Sequence, residues 1–199
     1  MLTRLKLPLV RAALRLRSSS QARLAEVDAS SFDPPLKVSL LVLQATPFCN
    51  IDCSYCYLPD RDSPERMAPA IMQAAIHNIA DSGLLGDTLR VVWHSGEPLA
   101  AGHEFYRRAF ACIDQAIAGR CAVQHSFQTN AMLIDQGWCN LFAQHGVKVG
   151  VSVDGPAFIH DRNRKTRDGK GTHAAAMCGV AHLLRNGLPF HAIAVVTAT

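Results

Sequence analysis

Short apolar segments alternate with segments of helical periodicity from residue 37 to the end of the chain. Five segments rich in β-branched and aromatic residues predict strands: KVSLLVLQ from Lys37, LRVVWHS from Leu89, AVQHSFQT from Ala122, VKVGVSVDG from Val147 and FHAIAVVTA from Phe190. Runs that are this short and nearly continuous are typical of parallel strands covered on both faces. The pattern therefore predicts a buried parallel sheet.

Four segments with apolar residues at helical spacing lie between these strands. They run from about Ala68 to Ser82, from His103 to Ala118, from Asp135 to just before Gly146 and from Thr172 to just before Gly187. Asp135 is a suitable N-cap, and glycine directly after a helix is a common stop signal. The order β-α-β-α-β-α-β-α-β predicts an α/β fold with right-handed crossovers and a parallel sheet or barrel.

Length, composition and charge predict one globular domain after a distinct first segment. The chain has 199 residues, of which 49% are hydrophobic and 18% charged, and it contains no apolar run long enough for a membrane span. The first 25 residues hold six of the 20 basic residues and none of the 16 acidic ones. We therefore expect a basic, flexible N-terminal extension over residues 1–35 and one domain over residues 36–199. The domain has no basic stripe that would suit a nucleic acid.

The chain ends at Thr199, directly on the fifth predicted strand. No helix follows to cover that strand, and an unprotected sheet edge favours aggregation. We therefore expect the sequence to be the truncated front part of a longer architecture.

Three of the seven cysteines, Cys49, Cys53 and Cys56, lie within the segment CNIDCSYCYL, which directly follows the first strand. An odd cysteine count and this crowding favour a metal site in a reducing compartment over a disulfide framework. Structural zinc takes four protein ligands, so zinc would need His94 or His125 as the fourth. An iron–sulfur cluster held by three thiolates instead leaves one iron open for a small molecule. We favour the cluster.

The other four cysteines, Cys112, Cys121, Cys139 and Cys178, lie in apolar periodic segments. Cysteine in such positions behaves as a small hydrophobic side chain. We therefore expect all four to be buried.

Polar motifs follow the later strands as well. SGEPL begins at Ser95 after the second strand, QTN begins at Gln128 at the end of the third, and SVDG begins at Ser152 at the end of the fourth. In parallel α/β folds the chemistry lies at the carboxyl ends of the strands. These motifs and the three-cysteine loop should therefore meet at one edge of the sheet.

Together these motifs resemble the radical S-adenosylmethionine (SAM) superfamily. The spacing C-x3-C-x2-C, with Tyr55 before the last cysteine, is similar to the family's signature, and the resemblance extends over about residues 37–199. It implies a partial (β/α)6 TIM-like barrel with about five parallel strands. It also implies a [4Fe-4S] cluster on Cys49, Cys53 and Cys56, with SAM at the open iron. Reductive cleavage of SAM there would give a 5′-deoxyadenosyl radical, so these cysteines would be catalytic residues as well as metal ligands.

The resemblance also implies SAM-binding roles for residues of the later motifs. Ser95, Gly96 and Glu97 match the family's GGEP loop, whose backbone and glutamate hold the SAM amino group, although serine here replaces the first glycine. Asn130 matches a polar residue near SAM. Tyr55 would lie near the adenine.

The last two motifs supply three more residues of this kind. Ser152 and Asp154 match positions around the ribose and the methionyl group of SAM. Arg164 matches an arginine that pairs with the SAM carboxylate, a role that suits the fork of donors on a guanidinium. By itself, the segment DRNRKTRDGKG from Asp161 indicates a solvated charged loop. Among the histidines, His160 is the strongest functional candidate because it lies close to Arg164.

The motifs are most similar to the peptide- and protein-modifying branch of the superfamily. This branch includes SPASM-type peptide maturases and anaerobic sulfatase-maturating enzymes, and the cysteine loop most resembles cyclophane-forming maturases of glycine-rich repeat peptides. The resemblance implies a C–C crosslink in a ribosomal peptide (RiPP). The alternatives are oxidation of Cys or Ser to formylglycine, and an inactive truncated remnant that still binds a cluster. We also expect a cytoplasmic oxidoreductase with a peptide or protein substrate and an electron donor such as flavodoxin or ferredoxin.

Overall fold

The computed structural model describes residues 36–197, and within them five parallel strands form one sheet in the order β1-β2-β3-β4-β5. The strands are β1 (Val38–Leu43), β2 (Leu85–Trp93), β3 (Ala122–Thr129), β4 (Lys148–Ser152) and β5 (Phe190–Ile193). The helices are α1 (Pro69–Asp81), α2 (His103–Ile117), α3 (Gln136–Gln144), α4 (Ala157–Asn163) and α5 (His173–Arg185), and a 3-10 turn spans Pro98–Ala101. The predicted α/β fold with five parallel strands is confirmed. The predicted basic extension lies outside the described residues.

The helix predictions agree closely with the structure because the stop and start signals are local. Asp135 accepts the backbone N–H of Trp138 at 2.9 Å and is the N-cap of α3, as predicted. Two elements differ from the prediction. Strand β2 begins at Leu85 instead of Leu89, because Leu85 pairs with Val38 of β1. Helix α4 was not predicted, since it is only seven residues long and its last three residues belong to the charged segment that begins at Asp161.

The helices pack against one face of the sheet. Right-handed crossovers between successive neighbouring strands all turn to the same side. On that face Leu89 and Trp93 of β2 are fully buried against Phe110 of α2. On the opposite face Leu40 and Val42 of β1 are 53% and 52% exposed. The expectation of strands covered on both faces is therefore wrong for residues 36–197. No helix in this part of the chain is long and apolar enough to span a bilayer.

Aromatic rings from β2, β3 and α2 form the centre of the core. Trp93 lies edge-on to Tyr106 with ring centroids 5.1 Å apart, and Tyr106 lies 4.7 Å from Phe127. The His125 ring packs 4.1 Å from Phe110, and burial lowers the pKa of His125 to about 4. This packing fixes β2 and β3, whose carboxyl ends carry two of the polar motifs.

Candidate functional site

A cavity of about 340 Å³ opens at the carboxyl ends of the strands. The loop after β1, the loop after β2, the ends of β3 and β4, and the residues after α4 all contribute to its wall. Ten of the eleven residues predicted for the site line it: Cys49, Cys53, Tyr55, Cys56, Ser95, Gly96, Glu97, Asn130, Ser152 and Arg164. The eleventh, Asp154, contacts two of these residues from behind the wall. The strand-end rule thus brings the motifs together.

The three cysteines of the loop are free thiols on the wall of this cavity. Cys53 is 8% exposed, and Cys49 and Cys56 are partly buried. Backbone hydrogen bonds hold the loop: the Cys56 N–H donates to the Cys53 carbonyl at 3.1 Å, and the Cys49 N–H donates to the Arg61 carbonyl at 2.9 Å. Burial raises the pKa of Cys49 to about 11 and also raises the pKa of Cys53. Both shifts favour the protonated thiol, and metal binding would require loss of that proton.

Zinc and an iron–sulfur cluster make different demands on the ligands around this cavity. Within residues 36–197 no three His, Cys, Asp or Glu side chains are grouped closely enough to hold one metal ion. His94 lines the cavity, whereas His125 lies in the core on the helix-covered face of the sheet. Zinc needs four ligands that converge on one point. In a cluster each thiolate binds a different iron, so three thiols on the wall of one cavity fit a cluster.

The loop after β2 adopts left-handed backbone at two successive positions. Gly96 has φ +62°, and a Cβ there would lie 2.5–2.8 Å from the carbonyl oxygens of Thr46, Pro47 and Phe48. Only glycine fits against these oxygens. Ser95 has φ +75°, which is a strained conformation for a residue with a side chain. The serine at this position therefore adopts backbone geometry that suits glycine.

Glu97 joins the loop after β2 to the end of β3. Its side chain is buried, and its carboxylate accepts the Leu99 N–H at 3.0 Å, the Thr129 hydroxyl at 2.7 Å and the Asn130 N–H at 2.9 Å. Burial raises the pKa of Glu97 to about 7, although the three donors oppose this shift. The Asn130 amide in turn donates to Asn50 Oδ1 at 2.7 Å. This chain of contacts ties both motifs to the cysteine loop.

Asp154 does not line the cavity, but its carboxylate accepts hydrogen bonds from three residues that do. It accepts Arg164 Nε at 2.9 Å and Nη2 at 3.0 Å, the Tyr55 hydroxyl at 2.6 Å and the Val195 N–H at 2.9 Å. Burial would raise the pKa of Asp154, but the hydrogen bonds from Arg164 and Tyr55 hold it below its ordinary value. The Arg164 guanidinium also lies 5.4 Å from the centre of the Tyr55 ring. Asp154 thus fixes two residues that line the cavity.

Six further residues line the cavity, and the motifs assigned no SAM contact to them: Ile51, Tyr57, Leu58, His94, Gln128 and Val195. His94 and Gln128 lie at the ends of β2 and β3, so the strand-end rule could have included them. Val195 follows β5 in a segment without a motif. The sequence offers no signal for that residue.

The comparison with known families agrees with this geometry. The model of the Radical SAM superfamily matches residues 43–197, and the chain belongs to that superfamily. Membership implies a [4Fe-4S] cluster and SAM as the cofactors. The three thiols on one cavity wall fit such a cluster.

Similar proteins place the chain beside peptide- and protein-modifying members. An uncharacterised protein of Synechocystis sp. is 44% identical over 176 residues, which are 86% of this chain and 44% of that protein. The serine-type anaerobic sulfatase-maturating enzyme of Klebsiella aerogenes is 33% identical over 81% of this chain and 40% of the enzyme. The solved structure of native anSMEcpe with bound AdoMet and Cp18Cys peptide has a TM-score of 0.72 and 27% identity, covering 81% of this chain and 44% of that one. The chain thus spans less than half the length of these relatives, and the predicted resemblance to this branch is confirmed.

Proposed function

We propose that this chain is the SAM-cleaving part of a radical SAM enzyme that modifies a side chain of a peptide or protein. The observation that carries the proposal is the cavity that ten of the eleven predicted residues line. When bound there, the cluster and SAM supply a 5′-deoxyadenosyl radical that abstracts a hydrogen atom from the substrate. The names of the relatives support the substrate class, because one is a sulfatase-maturating enzyme and one solved structure holds a peptide.

In this proposal the three cysteines bind the cluster, and Arg164 binds SAM. Cys49, Cys53 and Cys56 would hold the cluster, which would supply an open iron for SAM. Arg164 pairs with the SAM carboxylate. Its Nε and Nη2 each donate one N–H to Asp154, which leaves the second N–H of Nη2 and both N–H groups of Nη1 for the ligand. A bidentate pair fixes the plane of the guanidinium, so Asp154 orients Arg164 and does not itself bind the cofactor.

The remaining residues hold the other polar groups of SAM. Three internal donors occupy the Glu97 carboxylate, so we assign the SAM amino group to the backbone carbonyls of the Ser95–Glu97 loop. Asn130 and Ser152 bind around the ribose and the methionyl group. Tyr55 lies beside the adenine, and its hydroxyl bond to Asp154 holds the ring in place.

Apolar residues complete the wall beside these polar groups. Ile51, Leu58 and Val195 line the same cavity as the cysteines. Exclusion of water protects a reactive carbon radical from quenching. These side chains therefore protect the radical after SAM is cleaved.

The finer proposal is a cyclophane-type C–C crosslink between an aromatic ring and a side-chain carbon of a ribosomal peptide. The wording of the cysteine loop CNIDCSYCYL favours it. The alternative is formation of formylglycine, which the name of the Klebsiella aerogenes relative favours. We further propose a cytoplasmic enzyme, since thiols stay reduced there, with an electron donor of the flavodoxin or ferredoxin type.

A two-substrate assay separates the two reactions. The reconstituted protein, SAM and a reductant are incubated with a glycine-rich repeat peptide or with a serine-containing sulfatase peptide. Crosslinking and oxidation of serine both remove two hydrogen atoms, so product mass alone does not distinguish them. An aminooxy probe labels only the aldehyde of formylglycine. We expect an unlabelled, internally crosslinked repeat peptide, and labelling of the sulfatase peptide instead would establish the alternative.

A further inference from the structure

The segment from His160 to His173 is more ordered than its charged composition predicts. Three of its polar residues are buried: His160 is 1% exposed, Thr172 is 1% exposed and Arg164 is 6% exposed. Burial of a polar group is costly unless the group is hydrogen-bonded. The partners of these residues therefore indicate what the segment does.

His160 and Thr172 form a hydrogen-bond chain with a defined direction. The Thr172 hydroxyl donates to the Arg164 carbonyl at 2.8 Å, and its oxygen lies 3.0 Å from His160 Nε2. Because the hydroxyl has one hydrogen, Nε2 must carry the proton of the second contact. His160 Nδ1 accepts the Asp154 N–H at 3.3 Å, so the ring is the neutral Nε2–H tautomer. The chain links the residues after β4 to the start of α5.

Asp161 anchors the same point from a second direction. Its Oδ1 accepts the N–H groups of Thr172 and His173, both at 2.8 Å. Both N–H groups lie at the start of α5, where backbone donors have no partner within the helix. Thr172 does not cap this helix with its own side chain, so Asp161 supplies the acceptor. A Cβ on Gly171 would lie 2.4 Å from the Asp161 carboxyl carbon, so glycine is required for this approach.

Between these anchors the backbone lies against the cysteine loop. The Ser54 N–H donates to the Asn163 carbonyl at 2.9 Å, and the Asp52 N–H donates to the Lys165 carbonyl at 2.7 Å. The Ser54 hydroxyl also donates to Asn163 Oδ1 at 2.7 Å. The segment therefore holds the residues on both sides of Cys53.

We propose that His160, Asp161 and Thr172, here called the clasp, are positioning residues for the cluster site. The clasp fixes the segment that supports the cysteine loop. His160 also accepts the N–H of Asp154, and Asp154 in turn binds Arg164. Residues that orient metal ligands change metal affinity about 10- to 100-fold when they are mutated. The inference rests on the proposed cluster site, but its first readout needs neither metal nor SAM.

Thiol alkylation of the metal-free full chain tests the clasp. Thr172→Val keeps the volume of the side chain and removes the hydroxyl, which leaves buried polar groups of His160 and Arg164 unpaired. We expect iodoacetamide to alkylate Cys53 about 10-fold faster in this variant, as measured by peptide mass mapping. Cys139, which is buried in the core, should react at an unchanged rate because the core does not depend on the clasp.

Three further variants sharpen this test. Thr172→Ser retains the hydroxyl and should restore slow alkylation. Thr166→Val removes a hydroxyl whose partners, Asp168 and Lys170, are exposed. It should leave the alkylation rate of Cys53 unchanged. Asp161→Ala removes the side-chain acceptor at the start of α5, and it should increase the alkylation rate of Cys53 as Thr172→Val does. It serves as the second variant if the valine protein does not fold.

Either of two results would overturn the proposal. One is alkylation of Cys53 in both Thr172→Val and Asp161→Ala that is no faster than in Thr166→Val. The other is an equal increase in the alkylation rates of Cys139 and Cys53, which would indicate loss of global stability instead of release of the cysteine loop. In reconstituted protein, we also expect Thr172→Val to lose iron to a chelator about 10-fold more readily than Thr172→Ser. A wild-type protein that does not cleave SAM would contradict the proposed function but leave the alkylation result intact.

Discussion

Gly96 is the position at which the cavity wall tolerates no side chain. Gly96→Ala would place a Cβ within 2.5–2.8 Å of three backbone carbonyl oxygens, which cannot move as a flexible side chain would. We expect the variant to displace the loop after β2 and to lose SAM binding, as measured by calorimetry on the reconstituted protein.

Gly83→Ala is the matched control for this substitution. Gly83 also has positive φ, at +72°, but has no atom within 4 Å of an added Cβ. It should cost about 1–2 kcal/mol of stability from backbone strain alone and leave SAM binding intact. Equal SAM affinity in the Gly96→Ala protein and the wild type would show that the loop does not contact SAM.

The three cysteines of the loop should be individually indispensable for the cluster. Replacing Cys49, Cys53 or Cys56 with alanine removes one of the three thiolates, and we expect loss of bound iron and of SAM cleavage. Cys178→Ala is the control, since Cys178 is exposed on α5. Full iron content in any of the three loop variants would contradict the assigned ligand set.

The role of a residue could be predicted from sequence where a motif indicates the chemistry. It could not be predicted where tertiary contacts determine the role. The cysteines and Glu97 are recognisable from their spacing and neighbours. The full occupation of the Glu97 and Asp154 carboxylates by internal donors is not, because several donors, such as Asn130 and Val195, lie far away in sequence. The exposure of Cys178 was predicted wrongly, since its segment is apolar but its position on the helix faces outward.

At the scale of elements, β3 carries a pH-sensitive residue in the core. His125 has a folded-state pKa of about 4, against an ordinary value of 6.5. The unfolded chain therefore binds the proton first as the pH falls, and stability is lost between pH 6.5 and pH 4. We expect this residue to contribute a loss of about 3 kcal/mol across that range.

The variant His125→Phe isolates that contribution. Phenylalanine suits the aromatic surroundings of the site, which include Phe110 and Trp93. Chemical denaturation of the metal-free protein at pH 7 and pH 4 should show that the variant loses less stability than the wild type. An equal loss in both proteins would place the titrating group elsewhere.

Element boundaries were predictable where the signal is local and failed where partners decide. The four predicted helices each end two residues before a glycine, and α3 begins after its cap Asp135, so the bounds of these four helices agree with the prediction within one residue. Strand β2 extends to Leu85 through pairing with β1, which the Gly86–Asp87 sequence conceals. Helix α4 was missed because the charged run from Asp161 resembles a loop. Its hydrogen bonds to the cysteine loop depend on residues far away in sequence.

At the scale of the molecule, the alternation of strands and helices was sufficient to predict the sheet but not what covers it. Continuous apolar runs suggested cover on both faces, whereas the described helices cover one face. The open face carries Arg90, Gln128 and Lys148, as shown by strand register. The motifs assigned no SAM contact to any of these three side chains. The substrate therefore could not be predicted from the sequence, even though the cofactor side of the cavity could.

The three cysteines on the cavity wall predict that the described domain holds a [4Fe-4S] cluster and cleaves SAM. The most direct test is anaerobic reconstitution of the chain, followed by measurement of iron per chain and of 5′-deoxyadenosine released from SAM with a strong reductant. We predict about four irons and released 5′-deoxyadenosine. Iron without cleavage would identify an inactive cluster-binding remnant, and a chain that binds no iron would contradict the assignment of the three cysteines as cluster ligands.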